Sequence, residues 1–149
     1  MSEHHFHFSA DWPGGRSSVG TIRCGHLATE VSIATGMGGP GVGTNPDEML
    51  LGAAATCYLM TLAAMIERAK LPVAAMSFES DITVSVDQGA YQCKRIVHRP
   101  RITLAAGASD ADMAQLKRLV ELADRYCMVS KALRGNVELR VAPRLDRSA

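Results

Sequence analysis

The 149-residue chain carries almost no net charge: 16 Lys and Arg stand against 15 Asp and Glu, leaving +1 at neutral pH. Binding to phosphate backbones needs a concentrated excess of Lys and Arg, so nucleic acid is excluded as the main partner. The four cysteines, Cys24, Cys57, Cys93 and Cys127, include no Cys-x-x-Cys pair and no zinc-ligand spacing; neither a metal nor a resident cofactor is expected. Uninterrupted apolar runs of membrane length are also missing. The longest stretch, Met49 to Ile66, contains Gly52, Thr56 and Thr61 and is bounded by Asp47, Glu48 and Glu67, which fits a buried core helix and not a membrane span. The first residues, Met1-Ser2-Glu3-His4-His5, lack the basic and apolar regions of a secretory signal, so a cytoplasmic protein is expected. Neither repeats nor low-complexity segments occur. The glycine-rich stretch 36–45 precedes a helix but lacks the Gly-Lys-Ser/Thr ending of a phosphate loop.

What is present reads as one globular domain over 1–149, with 47 % hydrophobic and 21 % charged residues. The alternation of His5-Phe6-His7-Phe8, then Val19–Cys24 and Leu27–Ile33, predicts three antiparallel strands punctuated by Pro13-Gly14-Gly15 and Gly25-His26. His4, His5 and His7 have no carboxylate or Cys partner at ligand spacing and read as a solvated face. A long helix follows: Asn45 is a good N-cap, Pro46 suits the first helical position, Glu48 sits where a capping-box residue would, and Pro72 stops the run near Lys70. Apolar nearly all round, this helix is expected to be central and buried. Strands are expected over 75–86 and 93–104 about an Asp87-Gln88-Gly89 turn. A second helix, capped by Ser109, runs from Asp110 or Asp112 to Tyr126, with Met113, Leu116, Leu119, Val120 and Ala123 at helical spacing. A helical turn over 129–133, a break at Gly135, a last strand over 137–141 and a frayed tail from Pro143 complete an α+β order, β-β-β-α-β-β-α-β.

Four cysteines in a reducing compartment do not make a static disulfide framework, so each is inert core or reactive. Cys24 and Cys93 have no special local pattern. Cys57 lies mid-helix, where a small buried hydrophobe is the plainer reading. It is too far from the helix N-terminus for the dipole to lower its pKa, so a reactive Cys57 needs a cation from elsewhere in the chain. Cys127 ends the second helix, a position that disfavours a thiolate.

Two blocks carry a resemblance. Gly38-Gly39-Pro40-Gly41-Val42-Gly43-Thr44-Asn45-Pro46-Asp47-Glu48-Met49-Leu50 with Ala53-Ala54-Ala55-Thr56-Cys57-Tyr58, and Cys127-Met128-Val129-Ser130-Lys131-Ala132-Leu133-Arg134-Gly135-Asn136-Val137, resemble the organic hydroperoxide resistance / osmotically inducible protein C superfamily. Gly14-Gly15-Arg16 is similar to that family's Gly-Gly-Arg turn. The resemblance implies an intertwined homodimer with central long helices and a thiol-dependent peroxidase. It assigns Cys57 as the peroxidatic thiol, Cys127 as the resolving one and Arg16 as the activating cation. A carboxylate ten residues before the first cysteine orients the arginine, and the reductant is a dithiol, often lipoyl-linked. The carboxylate position here is Asp47, where the family usually has Glu. On a helix Asp47 lies about 80° from Cys57 around the axis and Glu48 about 180°, so Asp47 is the functional choice and Glu48 the alternative. Met128 stands where many members have Pro, and Lys131 where Asn is common.

The chemistry asks for these types. The thiolate attacks peroxide, burial raises a thiol's pKa, and a guanidinium reverses this. A second thiol rescues the sulfenic acid before over-oxidation. Met37, Val42, Met49, Leu50 and Met60 are candidate lining for a hydrophobic peroxide and equally simple core. A non-enzymatic thiol switch, a small hydrophobic-ligand binder and a structural stress protein with inert thiols are the competing functions.

Overall fold

A computed structural model describes all 149 residues, which group into two compact units, Met1–Leu50 and Leu51–Ala149. The division falls inside the long helix α1 (Pro46–Arg68).

The first unit is an antiparallel meander of β1 (Ser9–Asp11), β2 (Gly20–Cys24) and β3 (Leu27–Val31). The expected strand over His5–Phe8 does not form. Ser9 is paired with Arg23, β2 ends one residue later at Cys24, and Gly25 turns the chain away at φ +60°. Beyond Cys24 no strand continues opposite residues 5–7, so their alternation has no ladder to join, and they are exposed. After β3 a single 3-10 turn (Thr35–Met37) leads into the glycine-rich loop. Ser32 ties that loop down: its hydroxyl donates to the Val42 carbonyl at 2.7 Å and accepts from the Val42 N–H at 2.8 Å. Gly41 and Gly39 show why the loop needs glycine. Gly41 has φ +66°, and a Cβ on Gly39 would lie 2.1 Å from the Ile33 carbonyl oxygen.

Helix α1 begins as its caps dictate. The Asn45 side chain accepts from the Glu48 N–H at 2.9 Å. The Glu48 carboxylate accepts from the Asn45 side-chain amide (3.2 Å) and the Thr44 hydroxyl (3.1 Å), not from the Asn45 N–H as a capping box would have it. The helix stops at Arg68, two residues early, because Lys70 takes a left-handed conformation (φ 54°) ahead of Pro72.

In the second unit the long antiparallel pair β4 (Val73–Asp87) and β5 (Ala90–Leu104) closes through Gln88-Gly89. Both residues have positive φ, 48° and 81°, as a type I′ hairpin requires. Helix α2 (Asp110–Tyr126) opens with a complete Ser109–Asp112 capping box. Cys127 separates it from α3 (Met128–Leu133), a six-residue helix where a single turn was expected. Then β6 (Glu138–Val141) and β7 (Arg144–Arg147) both add to β5 in parallel. The tail from Pro143 is therefore not frayed; Leu145 pairs with Ile102 and anchors it. The core joins Tyr58, Leu62 and Ile66 of α1 to Ile102 and Leu104 of β5 and to Leu116, Leu119, Val120 and Ala123 of α2. By length and composition α1 is apolar enough to cross a membrane, but Ala54, Tyr58, Leu62 and Ile66, spaced four apart, form a buried core face. The expectation of a helix buried all round is corrected on one side. Gly52, Ala53, Thr56, Met60 and Ala64 form an exposed stripe, with Met60 at 70 % exposure.

Candidate functional site

Cys57 and Cys127 meet within the second unit. Both are unbridged thiols, Cys57 half-buried on α1 and Cys127 fully buried between α2 and α3. Their side chains are in hydrogen-bond contact. Cys127 serves two helices: it is the C-cap of α2, donating its N–H to the Ala123 carbonyl at 2.9 Å, and it is the N-cap of α3. With φ −62° and ψ 121° it turns the chain so that the first amides of α3 face Cys57.

The two thiols are pushed in opposite directions. Burial alone would push Cys57 up. The Val129 N–H, the Cys127 thiol and the Met128 N–H oppose it, and the Cys57 thiol is held below its ordinary range. For Cys127 burial dominates and pushes the thiol up. The Ser130 hydroxyl and N–H oppose the effect without closing a cap hydrogen bond, and the neighbouring Cys57 adds to it. Two of the donors that lower Cys57 are thus backbone amides of α3, the helix that Cys127 starts. The requirement for a distant cation is relaxed, because a thiolate needs positive potential and oriented N–H groups supply it.

An aromatic stack backs the pair. The Tyr58 ring lies 4.7 Å from that of His98 and 5.6 Å from that of Phe78, and its hydroxyl donates to the Val120 carbonyl at 2.8 Å. Burial, with the charges of Asp124 and Cys127, pushes the Tyr58 hydroxyl pKa well up. Fully buried His98 shares a 2.7 Å hydrogen bond with Ser80 through Nδ1, while Nε2 has no partner. Burial pushes its pKa down, with Asp124 acting the other way. On the far side of Cys127, Asp124 accepts from the Ser130 hydroxyl at 2.8 Å and from Arg134 at 2.9 Å.

The remaining sequence candidates, Met60 apart, belong to the first unit. The exposed Arg16 guanidinium donates to the carbonyls of Met37 (3.0 Å) and Gly38 (3.3 Å) and so braces the glycine-rich loop. It makes no ion pair with Asp47 or Glu48. Glu48 is engaged in the helix cap, whereas Asp47 is half-buried and uncommitted on the first turn of α1. Val42 is exposed in the loop; Met37, Met49 and Leu50 are half-buried. No cluster of three His, Cys, Asp or Glu able to hold a metal ion occurs.

Sequence reasoning missed Met128, Val129, Ser130, Asp124, Thr61 and His98. Thr61 alone carried a local signal, lying one helical turn after Cys57. Its hydroxyl donates to the Cys57 carbonyl at 2.7 Å.

Residues 38–142 match the family model described as OsmC-like protein. The chain is 51 % identical to the uncharacterized protein YmaD of Bacillus subtilis, covering 95 % of this chain and 94 % of that one. It is 28 % identical to an organic hydroperoxide resistance protein of Xanthomonas axonopodis pv. citri, covering 85 % of each. The fold is similar to the crystal structure of an organic hydroperoxide resistance protein from Legionella pneumophila. That likeness has a TM-score of 0.70 at 21 % identity, over 99 % of this chain and 100 % of that one.

Proposed function

The chain belongs to the OsmC-like protein family, and from that premise we propose that it is a thiol-dependent peroxidase for organic hydroperoxides, with Cys57 attacking and Cys127 resolving. The observation that carries this reading is the contact of two unbridged thiols, one held below and one above its ordinary pKa. Environments that push two like groups apart divide the roles between them.

In the first step the Cys57 thiolate attacks the distal peroxide oxygen. The O–O bond breaks, the sulfur is oxidised to sulfenic acid, and the leaving alkoxide takes a proton to become an alcohol. Next the Cys127 sulfur attacks the Cys57 sulfur. An S–S bond forms, the S–O bond breaks, and the proton from Cys127 leaves with the oxygen as water. A dithiol then reduces the disulfide by exchange, and a lipoyl-type dithiol suits the task because it releases itself by closing a ring. The family resemblance is what proposes Arg16 for the peroxide oxygens and the thiolate and Asp47 as the carboxylate that orients it; in this structure the guanidinium is bonded to the Met37 and Gly38 carbonyls. Regeneration by dithiols fits a reducing, cytoplasmic setting.

The working form is proposed to be a homodimer. Helix α1 leaves the stripe Gly52, Ala53, Thr56, Met60 and Ala64 open, and an apolar face on a helix this long needs a cover. A second copy of the same helix supplies it.

The test is turnover. Purified protein should consume cumene hydroperoxide continuously with a dithiol, and Cys57→Ser should abolish it. Turnover retained in that variant contradicts the assignment. A disulfide formed without repeated turnover would mark a redox switch.

A further inference from the structure

Ser130 sits at 1 % exposure on α3, three residues after Cys127. Its hydroxyl donates to Asp124 Oδ1 at 2.8 Å, and Arg134 fixes that carboxylate by donating to Oδ2 at 2.9 Å and to the Asp124 carbonyl at 3.2 Å. The same hydroxyl is in hydrogen-bond contact with the Cys127 sulfur. A hydroxyl has one proton and two lone pairs. It can donate to the carboxylate or to a thiolate, not to both. Donating to Asp124, it turns a lone pair to Cys127 and so accepts from an S–H.

Resting on the reading that Cys127 is the resolving thiol, we propose that Ser130 is a positioning residue for resolution: its O–H is donated to Asp124 while Cys127 is a thiol and swings to the Cys127 sulfur as that sulfur ionises to attack Cys57.

The arrangement explains why a buried serine is coupled to an arginine-clamped carboxylate beside a thiol. Asp124 competes for the one proton that would stabilise a Cys127 thiolate, so it keeps Cys127 from being oxidised first. When Cys57 is a sulfenic acid, the S–H proton of Cys127 passes to the departing oxygen. The Ser130 hydroxyl then turns to hold the sulfur's developing charge until the S–S bond forms and water leaves. Asp124 and Arg134 also line an open cleft of about 540 Å³ with Glu121, Arg125 and Val141. Solvent therefore reaches the outer side of the carboxylate while the Ser130 side stays closed. The charged and titratable groups around the pair are Cys57 and Tyr58 from α1, Asp124 from α2, Arg134 after α3 and, beyond Asp124, His98 from β5.

Two variants push in opposite directions. Ser130→Ala removes the donor, and Asp124→Asn removes the charge that competes for it. After mixing full-length reduced protein with one equivalent of cumene hydroperoxide, rapid quench and mass spectrometry separate sulfenic acid formation from disulfide formation. The effect falls on the second phase: about tenfold slower in Ser130→Ala, with its pH midpoint up by about one unit, and a midpoint shifted down in Asp124→Asn. Ultraviolet thiolate absorbance in a Cys57→Ser background reads the same two shifts of Cys127 without turnover. In the double variant most of the Asp124→Asn shift disappears, because Asp124 acts through Ser130. Equal second phases and midpoints in all proteins overturn the proposal while leaving the peroxidase reading intact. Parallel shifts in both single variants, or an Asp124→Asn shift undiminished without Ser130, overturn it as well. Absence of a Cys57–Cys127 disulfide in the unmodified protein instead defeats the underlying reading.

Discussion

The Cys57 and Cys127 side chains are hydrogen-bond neighbours, and the Val129 and Met128 amides that follow Cys127 help to hold Cys57 below its ordinary pKa. The resolving thiol and the activation of the attacking thiol thus come from one turn of chain. Moving that turn separates the sulfurs and removes the thiolate's donors together.

Met128→Pro tests the amide contribution. Met128 is the first residue of α3 and 72 % exposed, and Cys127 before it has φ −62° and ψ 121°. The first position of a helix accepts a proline, and extended Cys127 accepts one after it, without rearrangement. The variant should fold with stability changed by under about 1 kcal/mol, checked by urea unfolding. With the Met128 N–H gone, the pH midpoint of the attack phase should rise by about half a unit.

Asp47 and Glu48 are separated by their commitments. Glu48 bonds Asn45 and Thr44, so Glu48→Gln should change stability by about 1 kcal/mol or less and leave peroxide attack near its original rate. Asp47→Asn should slow attack about tenfold or more with unchanged stability, if Asp47 orients Arg16 as proposed. Stopped-flow rates and thermal unfolding of both variants check this. The opposite pattern reassigns the carboxylate.

His98 gives a stability signature in acid. Its folded pKa is pushed down by burial, so below the unfolded value of about 6.5 the unfolded chain binds the extra proton. Stability should be full above that pH and fall as pH drops toward the folded pKa, by at most about 1.4 kcal/mol per pH unit from this group. His98→Gln should flatten that slope in urea titrations between about pH 6.5 and 5.

Met60, 70 % exposed in the middle of the open stripe of α1, tests assembly. Met60→Glu should convert a sedimenting dimer to monomer, because a carboxylate at the centre of an apolar contact loses its hydration. A variant that still sediments as a dimer removes α1 from the interface.

Much of the fold was legible because the signals were local. Asn45-Pro46, Pro72, Ser109 with Asp112, and Gln88-Gly89 each act within a few residues, and each marks an observed boundary. Long-range pairing was not legible. Residues 5–8 alternate like a strand, yet β2 has already ended at Cys24; Arg144–Arg147 looked like a polar tail, yet β5 offers it a parallel edge. The site shows the same split. The two cysteines could be named through the family resemblance, but from local sequence Cys127 looked like a helix end only. That it also starts α3, with its amides facing a helix 70 residues earlier in sequence, depends on tertiary packing that no spacing rule reports. The carboxylate clamp on Ser130 was hidden for the same reason.

The central claim is tested most directly by treating reduced protein with one equivalent of organic hydroperoxide and identifying the crosslink by peptide mass spectrometry. The account predicts one disulfide, Cys57–Cys127, and in Cys127→Ser a Cys57 sulfenic acid that a trapping reagent captures. First oxidation at Cys127, a crosslink through Cys24 or Cys93, or four unmodified thiols would contradict it.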